Sequence, residues 1–381
     1  MTNKTLSASR DKLLFTPGPL TTSHTVKRAM LHDAGSWHWE FNALVASLRE
    51  RLLALAGVSR DQGYECILMQ GTGTFGVEAV FGTVVPHAAK VLILSNGAYG
   101  ERMILMTAAL RIPTVILRTP EEELPTAEAV REILQREPEI SHVAMVHCET
   151  TTGILNPIEA IGQTVRECGR QFILDAMSSF GAIPIDFKAV GIDFMISSAN
   201  KCIEGVPGFS FVIGRRSALL ASEGIARSLS LDLLSQLRGF EKNGQFRYTP
   251  PTHSILAFEV ALDELEEEGG VTGRAQRYAE NHRVLLEGMT RLGFRAHLDP
   301  SVQSYIITSF HYPQDPRFDF SDLYRRMSEK GMIIYPGKLT KIDCFRIGNI
   351  GRLFPADLRQ VVGAVEASLR EMGLTIPIPA L

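Results

Sequence analysis

Lys201 stands in the stretch DFMISSANKCIEGVPGFSFVIG, just after an apolar run and before a Gly-Val-Pro-Gly turn. A lone lysine is ordinarily a solvated surface charge. Here Ser197, Ser198 and Asn200 precede it and Gly205-Val206-Pro207-Gly208 follow, which predicts an irregular, enclosed site. Desolvation there lowers the pKa of the amine and makes it a usable nucleophile for a carbonyl. Asp175 closes another apolar run, in FILDAMSSFG. An acid at a strand end is often only a cap. Its sharper use is to pair with a protonated pyridine nitrogen and keep that ring an electron sink. The third cluster is Gln70-Gly71-Thr72-Gly73-Thr74, after an apolar run and before a helical pattern from Phe75 to Val85. Glycines let the backbone approach a ligand, and the free N–H groups of the following helix, with the Thr72 and Thr74 hydroxyls, make an anion site. The cluster lacks the lysine of a P-loop and the full dinucleotide fingerprint, so an ordinary Gly-rich turn is its alternative reading.

The elements that must position these residues follow from periodicity. Short apolar runs mark strands at Cys66–Gln70, Val91–Ser95, Thr114–Leu117, His142–His147, Phe172–Asp175, Phe194–Ser197 and Phe209–Ile213. Amphipathic stretches lie between them; in Phe41–Leu55, residues Phe41, Leu44, Val45, Leu48 and Leu52 recur at helical spacing. Such alternation predicts an α/β fold with a mainly parallel sheet covered on both faces. Ligands of open α/β sheets sit beyond the carboxyl ends of the strands, where all three clusters fall. After about Thr252 the texture changes. Two long helical patterns, Ser254–Glu268 and Thr272–Leu292, precede strand candidates at Ser304–Ser309, Met332–Tyr335 and Phe345–Ile347 and a closing helix near Pro355–Met372. The expected organisation is an N-terminal arm (1–20), a large domain (21–254) and a smaller α+β domain (255–381).

Composition narrows the function classes. At 381 residues the chain is long enough for two packed domains. A net charge of −3 gives no footprint for nucleic acid, and no apolar run is long enough to span a bilayer. The polar start, MTNKTLSASRDK, lacks the apolar segment of a signal peptide. The five cysteines, Cys66, Cys148, Cys168, Cys202 and Cys344, are scattered without a CxxC pair, which argues for reduced thiols in the cytoplasm and against a structural metal site.

The clusters, in this order on strand ends, become recognisable in longer stretches: FTPGPLTTS from Phe15, HCETTTGILNPIEAIG from His147, DAMSSFGAIPID from Asp175, SSANKCIEGVPGF from Ser197, SLSLDL from Ser228, YPGKLT from Tyr335 and FRIGNIG from Phe345. Nearly end to end, the chain resembles the 2-aminoethylphosphonate–pyruvate aminotransferase family, class V members of the fold-type I pyridoxal-phosphate enzymes. The resemblance implies a seven-stranded, mainly parallel sheet flanked by helices. It implies pyridoxal 5′-phosphate as cofactor and transfer of the amino group of 2-aminoethylphosphonate to pyruvate. Lys201 matches the Schiff-base lysine that also carries the proton, and Asp175 the pyridinium partner. Thr72, Gly73 and Thr74 match the phosphate loop, with Asn200 near the phosphate. Thr150 matches the residue beside the cofactor phenol oxygen, and Met177 and Tyr99 the groups on the two ring faces. Thr249 matches a residue given to the phosphate of the neighbouring subunit, which implies a homodimer. Arg346 matches the arginine that binds the substrate acid group, a planar fork suited to a carboxylate or phosphonate. Gly18 and Pro19 would line the substrate side.

Two stretches depart from the family pattern. Family members carry acidic residues after the first Trp; here the chain reads Trp37-His38-Trp39-Glu40-Phe41-Asn42. Leu234 and Leu237 stand where the family tends to have Tyr and Trp. Either segment could flank the substrate entrance or a subunit contact. Three other functions stay in view: an aminotransferase for another small amine or amino acid, such as alanine with glyoxylate; a lyase or desulfurase using Cys344; and a nucleotide-binding α/β protein in which Lys201 has no role.

Overall fold

The computed structural model describes residues 11–339 and 342–379. The first ten residues of the expected arm, Thr340 of the YPGKLT stretch and the last two residues of the chain lie outside the described residues. Seven strands form the central sheet: β1 (Tyr64–Gln70), β2 (Lys90–Ser95), β3 (Thr114–Arg118), β4 (Ile140–Val146), β5 (Gln171–Asp175), β6 (Phe194–Ser198) and β7 (Phe209–Arg215). Their spatial order is β1-β7-β6-β5-β4-β2-β3. Pairings from β6 through β3 are parallel, while β7 runs antiparallel to both β6 and β1. Six strands therefore share one direction. Sequences such as CILM and FILD are apolar on both faces because helices cover both sides of the sheet, and six of the seven residues of β4 are buried.

One direction means one end. The carboxyl ends of β1, β2, β4, β5 and β6 deliver Gly71–Thr74, Asn96–Tyr99, His147–Thr152, Ala176–Met177 and Ala199–Lys201 to the same edge of the sheet. The reversed strand β7 begins at that edge too, with Phe209 opposite Gln70.

A second, smaller body has its own hydrophobic cluster, including Leu285, Phe310, Phe345, Leu358 and Val365. Its sheet pairs Ile307–His311 with Cys344–Gly348, which in turn pairs with Tyr335–Pro336, all antiparallel. Helices Gly270–Arg291, Phe320–Glu329 and Pro355–Glu371 pack around it. The first strand of this sheet was expected at Ser304–Ser309; the chain bends at Tyr305 before the strand starts at Ile307, and the Ser304 and Tyr305 carbonyls accept from the Gln303 and Asn349 side chains. Helix Thr252–Glu267, expected to open the smaller domain, buries Ile255, Phe258 and Leu262 in the large core. The chain start is tied to the smaller body: Leu13–Leu14 runs parallel to Met332–Ile333, and Phe15 is buried in its cluster. From there Thr16–Pro19 crosses over the carboxyl edge of the large sheet.

Candidate active site

Lys201 lies in the turn that follows β6. Its amine is enclosed and donates a 2.7 Å hydrogen bond to the carbonyl of Pro17. Burial pushes the amine below the ordinary lysine value, while nearby Tyr99 and Asp175 work the other way. Gly18 adopts φ +126°, and a Cβ there would stand 2.6 Å from Lys201 Nζ. Only glycine both takes this backbone angle and leaves the amine its room. Pro19, by contrast, is exposed, and its carbonyl accepts from the Thr16 hydroxyl at 2.6 Å.

Asp175 ends β5 with its carboxylate buried. Oδ1 accepts from the Met177 N–H at 2.8 Å. Burial raises its pKa to about 6; Glu149 adds to the rise, and Met177 N–H, Lys201 and Arg102 oppose it. Asp175 and Met177 share a cavity wall with Gly73, Thr74, Tyr99 and Arg102. Thr72 is the N-cap of helix Gly73–Val84, its hydroxyl unused in capping. Gly73 and Thr74, the first residues of that helix, line the cavity, and a helix N-terminus leaves donors without intrahelical partners. A Cβ on Gly73 would collide with Met177, at 2.2 Å from its sulfur, so the glycine lets this side chain lie across the helix start. Asn200 uses its side-chain oxygen to accept from Ser198 Oγ at 3.1 Å, one residue before the lysine.

Tyr99 opens helix Ala98–Ala109, after Gly97. Burial drives its phenol up, but Lys201, Lys338 and the Thr150 hydroxyl together outweigh burial and leave it below the ordinary tyrosine value. Thr150 is buried in the loop after β4, and its carbonyl accepts from Arg346 Nη1 at 2.6 Å. Arg346 is 1% exposed. Its other recorded contact is Nε to the Pro336 carbonyl at 3.0 Å, and among the described residues it forms no ion pair. A guanidinium buried against carbonyls, with no carboxylate beside it among the described residues, has the chemistry to take an anion. Burial accordingly holds its pKa below the ordinary arginine value.

Three residues of the site escaped the sequence reading. Arg102 stacks 4.7 Å from the Tyr99 ring centre and donates to Thr74 Oγ1 at 3.3 Å. Lys338 stands 5.2 Å from the same ring. Glu149 is wholly buried and accepts from Tyr99 N, Gly100 N, Thr151 N and the Thr151 hydroxyl, so it anchors the helix that presents Tyr99. Arg102 could have been found from its place three residues, about one helical turn, after Tyr99. Glu149 and Lys338 carry no such local mark.

Other expectations fare differently. Thr249 is exposed, its carbonyl 3.3 Å from Gln70 Nε2 at the rim of the sheet end. Trp37 and Trp39 are 80% and 70% exposed at the start of helix Trp39–Leu55, with His38 tilted against Trp39 at 5.4 Å. Leu234 and Leu237 do not flank an entrance. They are buried on the inner face of helix Leu233–Asn243, so the change from larger aromatics is a matter of core packing. Cys344 is buried in a strand, where burial raises its thiol, unlike the mobile thiolate that a desulfurase needs.

A family model described as aminotransferase class-V matches residues 22–342. A 2-aminoethylphosphonate–pyruvate transaminase of Syntrophobacter fumaroxidans is 51% identical over 362 residues, 95% of this chain and 97% of its own. One of Pseudomonas aeruginosa is 50% identical over 366 residues, 96% and 98% of the two chains. Among solved structures, pyridoxamine–pyruvate aminotransferase from Mesorhizobium loti has a TM-score of 0.88 at 23% identity, over 97% of this chain and 95% of that one. Alanine–glyoxylate aminotransferase from Nostoc sp. has a TM-score of 0.86 at 25% identity, over 95% and 96%. With the lysine, the buried acid and the helix N-terminus gathered at one sheet edge, this chain belongs to the class-V aminotransferase family, fold-type I enzymes whose cofactor is pyridoxal 5′-phosphate.

Proposed function

We propose that this protein transfers the amino group of 2-aminoethylphosphonate to pyruvate, giving phosphonoacetaldehyde and L-alanine. The observation that carries the reading is 51% identity, sustained over 95% of the chain, to a transaminase of that name. The site agrees with it. A buried acid without a cation in contact suits a ring nitrogen, a helix start with Arg102 beside it suits a phosphate, and the enclosed amine suits an aldehyde.

When bound, pyridoxal phosphate supplies an aldehyde that accepts amino groups and a ring that stores the electron pair left behind when carbon loses a proton. Asp175, whose Oδ1 is occupied by the Met177 N–H, would use its carboxylate to hold the proton on the ring nitrogen. Thr72, Gly73, Thr74 and Asn200 take the phosphate, with Arg102 as a further cation. Tyr99 and Met177 would flank the ring, and Thr150 would lie at its phenol oxygen. Lys201 Nζ would be the attachment point for the aldehyde and, once displaced by the substrate amine, the base that moves the proton from the substrate carbon. Burial lowers its basicity below that of an ordinary lysine, in the direction that proton transfer at neutral pH requires. Arg346 orients the acid group of either substrate, and the backbone of Gly18 and Pro19 closes the substrate side.

The same reading takes the enzyme as a homodimer in which Thr249 reaches the partner's phosphate. Its exposure, with that of Trp37, Trp39, Leu229 and Tyr248, supports a covered face of this kind. Five unpaired cysteines support a cytoplasmic setting. The division into an arm (1–20), a large domain (21–254) and a small domain (255–381) is supported by the two hydrophobic clusters. The packing of helix Thr252–Glu267 favours moving the boundary to Gly269-Gly270.

The absorption spectrum of the purified protein, before and after 2-aminoethylphosphonate is added without pyruvate, tests the proposal. The band of the lysine-bound aldehyde should give way to that of the amine form. A band that ignores the phosphonate while responding to alanine would move the reading to another amino donor. No band, even after incubation with pyridoxal phosphate, would overturn it altogether.

A further inference from the structure

Three residues after Lys201, the chain does something unfavourable. Glu204 adopts φ +66°, a left-handed angle that non-glycine residues rarely take, and it is 1% exposed. A buried carboxylate is tolerated only when paired. Two arginines do so: Arg277 Nη2 donates to Oε1 at 2.7 Å, and Arg274 Nη1 lies at 3.4 Å. Both arginines also engage Glu268, so the cluster holds two cations and two anions. Glycine would take this angle without strain, and an apolar side chain would bury no carboxylate. What the charged cluster adds is specificity of geometry.

Its contacts divide into two groups. Toward the large sheet they hold the lysine turn: Glu204 N–H donates to the Lys201 carbonyl at 2.7 Å, Gly205 N–H to that of Ala199 at 2.9 Å, and Arg274 Nη1 to that of Cys202. Toward the smaller body they hold the loop that continues from the Arg346 strand. Tyr278 Oη donates to Glu204 Oε1 at 2.5 Å and accepts from Gly351 N at 3.0 Å. Arg277 Nη1 donates to the carbonyls of Gly351 and Leu353 at 2.6 and 2.9 Å. Asn349, three residues past Arg346, donates to the Tyr278 carbonyl at 3.2 Å. One carboxylate thus ties the turn of the amine to the loop of the guanidinium, beside a small apolar cluster in which Cys202, Tyr278 and Ile350 pack together.

We propose that Glu204 is a positioning residue that, through Tyr278 and Arg277, sets the spacing between the Lys201 amine and the Arg346 guanidinium. This rests on the aminotransferase reading of those two residues. Glu204 touches neither the substrate nor the cofactor; it acts by fixing two backbone segments against each other.

The test uses the cofactor-loaded enzyme with Glu204→Gln and Tyr278→Phe. Glu204→Gln leaves two buried arginines short of one anion and also lowers Tm, so Tyr278→Phe, which removes one hydroxyl and no charge, decides if the first fails to fold. In each, the pH midpoint of the lysine-bound cofactor absorbance should move by about half a unit or more, because the amine shifts against Asp175 and Tyr99. KM for pyruvate should rise about tenfold, by a larger factor than kcat falls. A Tyr278→Phe enzyme with the wild-type absorbance midpoint and wild-type KM would overturn the proposal, whatever its Tm, and leave a merely structural cluster. A wild-type protein that shows no lysine-bound cofactor band would instead remove the reading beneath it.

Discussion

At the scale of single residues, the site is built from groups held in states they would not adopt in water. Lys201→Ala should abolish turnover, by at least about 10⁴-fold, since both the attachment point and the proton carrier are lost. Single-turnover kinetics with 2-aminoethylphosphonate would measure this. Asp175 makes a prediction with a definite sign. Its folded pKa, about 6, lies above the ordinary 3.8, so the group favours the folded, cofactor-free protein below about pH 4. That contribution, about 3 kcal/mol between the two limits, is lost as pH rises through about 6. Asp175→Asn should therefore raise the Tm of the cofactor-free protein at pH 7.5 while lowering kcat. An unchanged or lower Tm in the variant would refute the idea that the carboxylate is held there against its own desolvation. Arg346→Gln should raise KM for pyruvate about 100-fold, in keeping with loss of a charge-assisted fork. Lys201, Asp175 and the Gly-Thr loop were legible because each sits beside a strand end that the sequence itself marks. Arg102, Glu149 and Lys338 were harder, because what makes them part of the site is the fold bringing β2, β4 and the smaller body together around Tyr99.

At the scale of elements, close approach governs the site more than propensity does. Gly18→Ala places a methyl group on Lys201 Nζ in a backbone angle alanine disfavours. It should reduce kcat about 100-fold with a much smaller loss of stability, as expected when a catalytic atom is displaced by about 1 Å. Comparison of kcat with Tm in the variant checks that split. Leu237→Ala should behave oppositely, costing about 2–5 kcal/mol of stability in chemical denaturation with little direct effect on the chemistry, because Leu237 is core. The seven central strands were readable as apolar runs because burial on both faces removes polar residues from them. The two-residue strand at Leu13–Leu14 was not, since two leucines carry no period, and its partner lies far along the chain. The reversal of β7 left no mark either: Phe209–Arg215 is as apolar as its parallel neighbours, and only the short Gly-Val-Pro-Gly connection restricts how the chain returns.

At the scale of the whole molecule, the site draws Lys201 and Asp175 from the ends of the large sheet and Arg346 and Lys338 from the smaller antiparallel sheet and the loop beside it. If Thr249 serves the partner's phosphate, cofactor retention should depend on association. Dilution below the dimer dissociation constant would then release pyridoxal phosphate, and Thr249→Ala would weaken cofactor binding without altering the monomer fold. Equilibrium dialysis across a protein concentration series measures both. The overall plan, a sheet enzyme with a smaller body set on its carboxyl edge, was visible in the change of texture near Thr252. The joint itself was not, because helix Thr252–Glu267 is apolar enough for either core and only packing assigns it.

The Leu13–Leu14 strand has a consequence in time as well as space. Its partner, Met332–Ile333, emerges from the ribosome long after the lysine does. Until then the arm lacks its strand pairing and the burial of Phe15, so the Pro17 carbonyl and Gly18 are not yet fixed against the Lys201 amine. During synthesis the large sheet can close around a lysine still open to solvent and to any passing aldehyde. The nucleophile comes under guard only when the chain is nearly finished.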